Sequence, residues 1–365
     1  IDYFTYYEDS YGDYKSIFGT SLKKVSAKTH KQFNKELKLL SGKTLFESDL
    51  NPIFVCLEEH YKGLPSPDLN VVFFDIEVGF DTERGFAPVE DPFSPITAIS
   101  LYLNWVGKNI TLCLYPETFT REEAEKELEG IEDTFIFDSE EELLKVFLDL
   151  IQDSDVLSGW NSTKFDIPYI VGRILLVLGE DYARDLCLWD LKPRKRTFTQ
   201  FKKDYITYEI YGRVHLDYLD LYMKHSMQEL HTYRLDYVGE IEVGENKVPY
   251  EGTLDDLYKK DYRKFIEYSK QDVMILVKLD EKKKFINLAN QIAHTNTVLI
   301  PTTMGSVALV EQSIINEAHE MGFIVPNKQA TNDKLSDVVI ADTEDEDEEE
   351  KSEAVAGAYV VDPKT

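Results

Sequence analysis

Asp75 and Glu77 stand two positions apart at the end of an apolar run, in VVFFDIEVGF (residues 71–80). Residues two apart on a strand share a face, so both carboxylates point to one place. Two like charges that close repel each other, and burying them is costly unless a cation lies between them. A strand end fraying into solvent would also tolerate the pair. GWNSTKFDIPYI (159–170) adds Asp166, just after a short strand and at the start of a helix, where an Asp can equally cap the helix and favour its dipole. FIEYSKQDVMILVKL (265–279) puts Tyr268 and Asp272 four apart on one helix face, a pair that also occurs in purely structural roles. Taken together, four acids on a strand, a strand-to-helix junction and a late helix suit one chemistry. Oxygen ligands select hard cations, Mg2+ or Mn2+. Two such ions about 3.5–4 Å apart activate water and steady the leaving oxygen in phosphodiester cleavage.

The elements that must carry these residues follow from the hydrophobic pattern. VVFFDIEV, PITAISLYL and NITLCLYP read as successive strands. SEEELLKVFLDLIQDS reads as a helix with Ser139 as its N-cap and acidic residues in its first turn. DVLSGW is a short strand, FDIPYIVGRILLVLG a helix closing on Gly179, and EIYGRVHLDYLDLYMKH a further strand preceded by a basic loop. A long helical stretch is expected from about Leu254 to Ala293, and MGSVALVEQSIINEAHEMG as another helix. The fold class is therefore α/β, a mixed sheet flanked by helices. Residues 1–69, aromatic and Lys-rich, end in the Pro-containing GLPSPDLN, a domain boundary. No internal repeat is visible.

Charge and composition narrow the function. At 365 residues with 43% hydrophobic side chains, the chain can bury a sizeable core. Its net charge of −28 opposes a general nucleic-acid coat. A bound cation pair would reverse the local field and let so acidic a protein hold one phosphate. The basic exception is KPRKRTFTQFKK (192–203), in which Lys192, Arg194, Lys195 and Arg196 are interleaved with Phe198 and Phe201. That mix suits either a solvated face or a surface that tracks a DNA strand. Cys56, Cys113 and Cys187 are scattered, which fits reduced thiols in a cytosol-like compartment. The longest apolar run, IVGRILLVLG, is too short to span a bilayer, so no membrane partner is expected. The run EDEDEEEK, inside the acidic segment 333–353, has seven acidic positions of eight. It reads most simply as a disordered, self-repelling loop, or else as a nucleic-acid mimic.

In order, DIE, GWNSTKFDIPYI and YSKQDV resemble the Exo I, Exo II and Exo III motifs of family B DNA polymerases, and the similarity is greatest to the T-even-type phage enzymes. HLDYLDLYMKH resembles their strand after Exo II, KVPYEGTLDDLY their stretch before Exo III, and YKSIFG a motif of their N-terminal domain. The resemblance implies a ribonuclease H-like (DnaQ-like) 3′→5′ proofreading exonuclease over 70–295. A partial N-terminal domain over 1–69 would be re-entered over 296–365. Asp75, Glu77, Asp166 and Asp272 match the metal-binding carboxylates, and Tyr268 matches the Tyr that orients the attacking water. The implied partners are the 3′ end of single-stranded DNA and primer–template DNA, in the cytoplasm of an infected bacterial host.

The palm signatures D-x-x-S-L-Y-P and D-T-D are absent, and GAYVVDPKT resembles the segment just before the palm. DNA synthesis would then need a further palm, fingers and thumb segment or a partner subunit. The start at Ile1 suggests a clipped N-terminus. The contrary expectation, a catalytically idle scaffold of a split polymerase, keeps the fold and drops the chemistry.

Overall fold

The computed structural model describes residues 2–200, 202–245 and 247–328. Phe201, the acidic segment 333–353 and the closing GAYVVDPKT lie outside the described residues. The N-terminal region, for which the hydrophobic pattern marked no elements, forms β1 (Tyr3–Glu8), β2 (Tyr14–Ser16), β3 (Ser21–Ala27), α1 (His30–Leu39), β4 (Leu45–Phe46) and α2 (Pro52–Tyr61). Thr29 and Asn51 cap the two helices by accepting the N–H of Gln32 and Ile53, respectively.

The central region runs β5 (Val71–Val78), β6 (Ile96–Leu103), β7 (Lys108–Leu114), α3 (Arg121–Glu127), β8 (Thr134–Phe137) and α4 (Glu140–Leu150). It continues through β9 (Val156–Ser158), α5 (Asp166–Val177), α6 (Glu180–Ala183), β10 (Arg194–Gln200), β11 (Lys203–Glu209) and β12 (Val214–His215). Then come α7 (Tyr218–His225), α8 (Leu235–Val243), α9 (Leu254–Lys260), α10 (Tyr262–Lys283), α11 (Phe285–Asn296), α12 (Val307–Glu320) and β13 (Phe323–Ile324).

One mixed sheet has the order β12-β9-β5-β6-β7-β8. Strand β5 lies inside it, parallel to β9 and antiparallel to β6. A strand covered on both faces reads as a continuous apolar run, and β5 shows why. Val72, Phe74 and Ile76 pack with Leu143 and Phe147 of α4 and Ile167 and Ile170 of α5. Val71 and Phe73 pack with Tyr218 of α7, Val238 of α8 and Val273 of α10. The alternation that sends Val71 and Phe73 toward α10 sends Asp75 and Glu77 the same way. The register with β6 slips between Glu77 and Val78, a bulge of the kind that re-aims side chains beside functional sites. Helix α10 is pinned across the sheet by a buried hydroxyl chain. Ser269 Oγ meets Ser100 Oγ at 2.8 Å, and Ser100 Oγ meets Thr111 Oγ1 at 2.8 Å.

Three expectations change. The segment EIYGRVHLDYLDLYMKH, expected as a further strand, is one only at Val214–His215; Asp217 then accepts the N–H of Leu219 and starts helix α7 over Tyr218–His225. The stretch from 254 to 293 is not one helix but α9, α10 and α11, broken at Asp261 and Lys284. The Asp261 carboxylate caps Lys264, and Lys284 takes the left-handed conformation (φ +55). The apolar spacing runs across both breaks and hides them. The basic segment is a β-hairpin and not a loop, with Arg194 opposite Glu209 and Phe198 opposite Tyr205. Among the described residues, no helix is long and apolar enough to cross a membrane.

A second sheet has the order β13-β2-β3-β1-β4, so residues 323–324 complete a layer begun at residue 3. His319 locks this closure. Its Nε2 donates to Glu47 Oε1 and its Nδ1 to Glu58 Oε2, each at 2.8 Å, and Glu47 Oε1 also accepts the N–H of Val325. Burial alone would favour the neutral ring, but the two carboxylates outweigh it and raise the pKa from 6.5 to about 9. A raised folded-state pKa means stabilisation that is complete below the ordinary value and lost as pH rises through about 9. Denaturant unfolding should show the wild type losing about 1–3 kcal/mol relative to His319→Gln between neutral pH and about pH 10. Parallel pH profiles for the two proteins would contradict this.

Candidate functional site

Strand β5 delivers Asp75 and Glu77 to the sheet face covered by α10, where the third turn of that helix presents Asp272. Ligand oxygens of Asp75, Glu77 and Asp272 all lie within 4.8 Å of one another. Asp166 does not belong to that compact trio but stands against its flank. It is the first residue of α5 and is buried, and its Oδ1 accepts the N–H of Ile76, the residue between Asp75 and Glu77, at 3.3 Å. The N-cap expected of Asp166 is absent: Phe165 holds the cap position, and no side chain caps the helix.

Electrostatics mark the cluster as incomplete. Burial, followed by repulsion from Asp272, raises Asp75 from 3.8 to about 7. Burial and then Asp75 push Glu77 and Asp166 well above the usual carboxylate range. Burial also raises Asp272, against the pull of Lys247. Asp272 Oδ1 is buried with no hydrogen-bond partner among the described residues. Three converging carboxylates with an orphaned oxygen fit a hard divalent cation, whose charge and coordination would satisfy them.

Lys247 was not singled out from the sequence. It lies between α8 and α9, and its ammonium reaches Asp272 Oδ2 and, at 3.0 Å, the Tyr268 hydroxyl. Burial would lower its pKa, but Asp272 and then Tyr268 hold it above the ordinary Lys value. Tyr268 is 8% exposed, and Tyr250 packs edge-on against its ring at 5.4 Å. The only sequence signal for Lys247 was its place at the head of KVPYEGTLDDLY. One Lys among 40 basic residues, 25 positions from Asp272, carries no spacing pattern.

The hairpin approaches the site through the Exo II turn. Lys164, two residues before Asp166, lies over the ring of Tyr205 at 5.1 Å. Tyr205 in turn stacks on Phe198, with ring centroids 5.5 Å apart and planes at 22°. Lys192, Arg194, Lys195 and Arg196 are exposed; Lys192 pairs with Glu180, and Arg196 lies 3.8 Å from Glu209.

Residues 17–238 match the profile of the family described as DNA polymerase family B, exonuclease domain. That match closes before Lys247, Tyr268 and Asp272, whose convergence rests on geometry. The chain is similar to the DNA-directed DNA polymerase of Escherichia phage RB69, 32% identical over 198 residues that cover 52% of this chain and 21% of the relative. The DNA-directed DNA polymerase of Enterobacteria phage T4 is 26% identical over 194 residues, 53% of this chain and 22% of that protein. The DNA polymerase delta catalytic subunit of Plasmodium falciparum is 27% identical over 335 residues, 86% of this chain and 29% of the relative. The chain thus spans well under two thirds of the length of these curated relatives.

Proposed function

Because this chain belongs to the family of DNA polymerase family B exonuclease domains, we propose that it is the proofreading 3′→5′ exonuclease portion of a phage-type replicative polymerase. Its mixed sheet with flanking helices is the ribonuclease H-like fold of that family. The observation that carries the reading is the trio of half-buried Asp75 with buried Glu77 and Asp272 and its unpartnered oxygen.

Asp75, Glu77, Asp166 and Asp272 are the residues that would hold two Mg2+ or Mn2+ ions. When bound, such a pair lowers the pKa of an attacking water and steadies the leaving oxygen of a phosphodiester. The protein's own part is to keep four carboxylates dry and fixed, so that their charge is strong and needs no reorganisation. The Tyr268 hydroxyl orients the water, and the Lys247 ammonium beside it offsets negative charge developing on the phosphate. A deoxynucleoside monophosphate leaves from an unpaired 3′ end, which is the end that reaches such a site at least cost.

Lys192, Arg194, Lys195 and Arg196 would meet the backbone of the incoming strand, and Phe198 and Phe201 would support it. Residues 1–69 and 296–365 would form one N-terminal domain around the exonuclease at 70–295, and primer–template DNA and the remaining polymerase segments would be the partners. The test is a 5′-labelled single strand incubated with Mg2+ and, separately, with EDTA. Stepwise shortening from the 3′ end with Mg2+ only is expected. An intact strand with both Mg2+ and Mn2+ would overturn the reading and favour a scaffold.

A further inference from the structure

One of the buried carboxylates that the mechanism does not use lies against the turn that leads to Asp166. Asp217, 6% exposed, follows β12 at the head of α7. Its Oδ1 accepts the N–H of Leu219 at 3.0 Å, an ordinary helix cap. The same Oδ1 accepts the N–H of Asn161 at 2.9 Å, and Oδ2 accepts the N–H of Thr163 at 2.9 Å. Both of these reach into the turn between β9 and α5, more than fifty residues away in sequence.

That turn decides where Asp166 stands. Asn161 is left-handed (φ +59), and a Cβ at Gly159 would lie 2.9 Å from the carbonyl oxygen of Phe74, one residue before Asp75. The turn therefore presses directly on β5. Ser162 sits at its centre, with its Oγ 2.8 Å from His215 Nε2 and its carbonyl accepting the N–H of Ile167 at 2.9 Å. Burial lowers the pKa of His215 to about 4, so the ring is neutral at ordinary pH. Helix α5 has no side-chain cap of its own. Its first residue, Asp166, is fixed by the turn, and two of the turn's backbone N–H groups are fixed by Asp217.

We propose that Asp217 is a positioning residue for the metal-binding carboxylates: by holding the N–H groups of Asn161 and Thr163 it sets Asp166 against β5, and so governs how tightly the weaker of two cations is held. The inference rests on the metal-dependent exonuclease reading above. Asp217→Asn is the informative variant, because it keeps the shape and one accepting oxygen but turns an N–H donor toward the Thr163 N–H.

The test measures Mn2+ binding by the electron paramagnetic resonance of free Mn2+, without substrate, on the whole chain as wild type and Asp217→Asn. The wild type is expected to bind two ions. The variant should keep the tighter one and weaken the other about 10- to 100-fold. In the degradation assay, half-saturating Mg2+ should rise by the same factor, with KM for the oligonucleotide unchanged and the rate recovered at high Mg2+. A purely structural role would not produce that split.

An Asp217→Asn isotherm identical to that of an active wild type would overturn this inference alone. Loss of the variant's cooperative thermal transition would also overturn it, since the carboxylate would then serve the whole fold. A wild type that binds no Mn2+ would remove both this inference and the reading beneath it.

Discussion

Asp75→Asn is expected to slow release of the 3′ nucleotide by about a thousandfold or more, equivalent to about 4 kcal/mol of transition-state stabilisation. In metal-free buffer at mildly alkaline pH, the same substitution is expected to make the protein more stable. Both effects come from one arrangement. Asp75 is half-buried beside Glu77 and Asp272, and desolvation followed by repulsion from Asp272 raises it to about 7. An acid with a raised folded-state pKa erodes stability as pH climbs from its ordinary value of 3.8 through about 7. Neutral Asn removes that burden and the cation's ligand charge together. A gain of about 0.5–2 kcal/mol is expected in EDTA, shrinking at a pH well below 7, where Asp75 is already protonated. Thermal unfolding at the two pH values, alongside the 5′-label assay, measures both halves. Retained activity, or a variant less stable than wild type in EDTA, would contradict the account.

Lys247→Ala should behave in the opposite sense. The Lys247 ammonium lies against Asp272, whose side chain is 3% exposed, while that of Lys247 is 28% exposed. Removing it leaves a buried carboxylate uncompensated, a change of about 3–5 kcal/mol for a fully buried pair. Solvent reaching Lys247 reduces this to about 2–3 kcal/mol. A divalent cation binding the folded state alone restores stability by mass action. Saturating Mg2+ should therefore raise the melting temperature of Lys247→Ala more than that of the wild type, because the cation then supplies the positive charge the variant lacks. Equal stability of the two proteins in EDTA would mean the ammonium contributes nothing at this site.

Three acids that converge, Asp75, Glu77 and Asp272, were legible in the sequence for particular reasons. Strand alternation put Asp75 and Glu77 on one face, and a four-residue interval put Tyr268 and Asp272 on another. Those are local periodicities, and they survive folding. Lys247 and Asp217 were missed because their partners lie 25 and more than 50 residues away. Neither belongs to a repeating pattern. Periodicity also misled where it ran unbroken through Asp261 and Lys284, since only capping chemistry separates the helices there. The hairpin was taken for a loop because its first strand, β10, is mostly exposed and polar, and pairing such as Phe198 with Tyr205 leaves no hydrophobic alternation strong enough to notice.

Strand β2 finds its parallel neighbour β13 only at Phe323 and Ile324, whereas every strand of the six-stranded sheet lies between residues 71 and 215. Pairing between segments so distant along the chain is slow to form, and segments generally fold in the order in which they leave the ribosome. During translation, then, the six-stranded sheet can assemble while one edge of the earlier layer still waits for β13. The layer begun at β1 is thus closed along that edge only after the six-stranded sheet has all its strands.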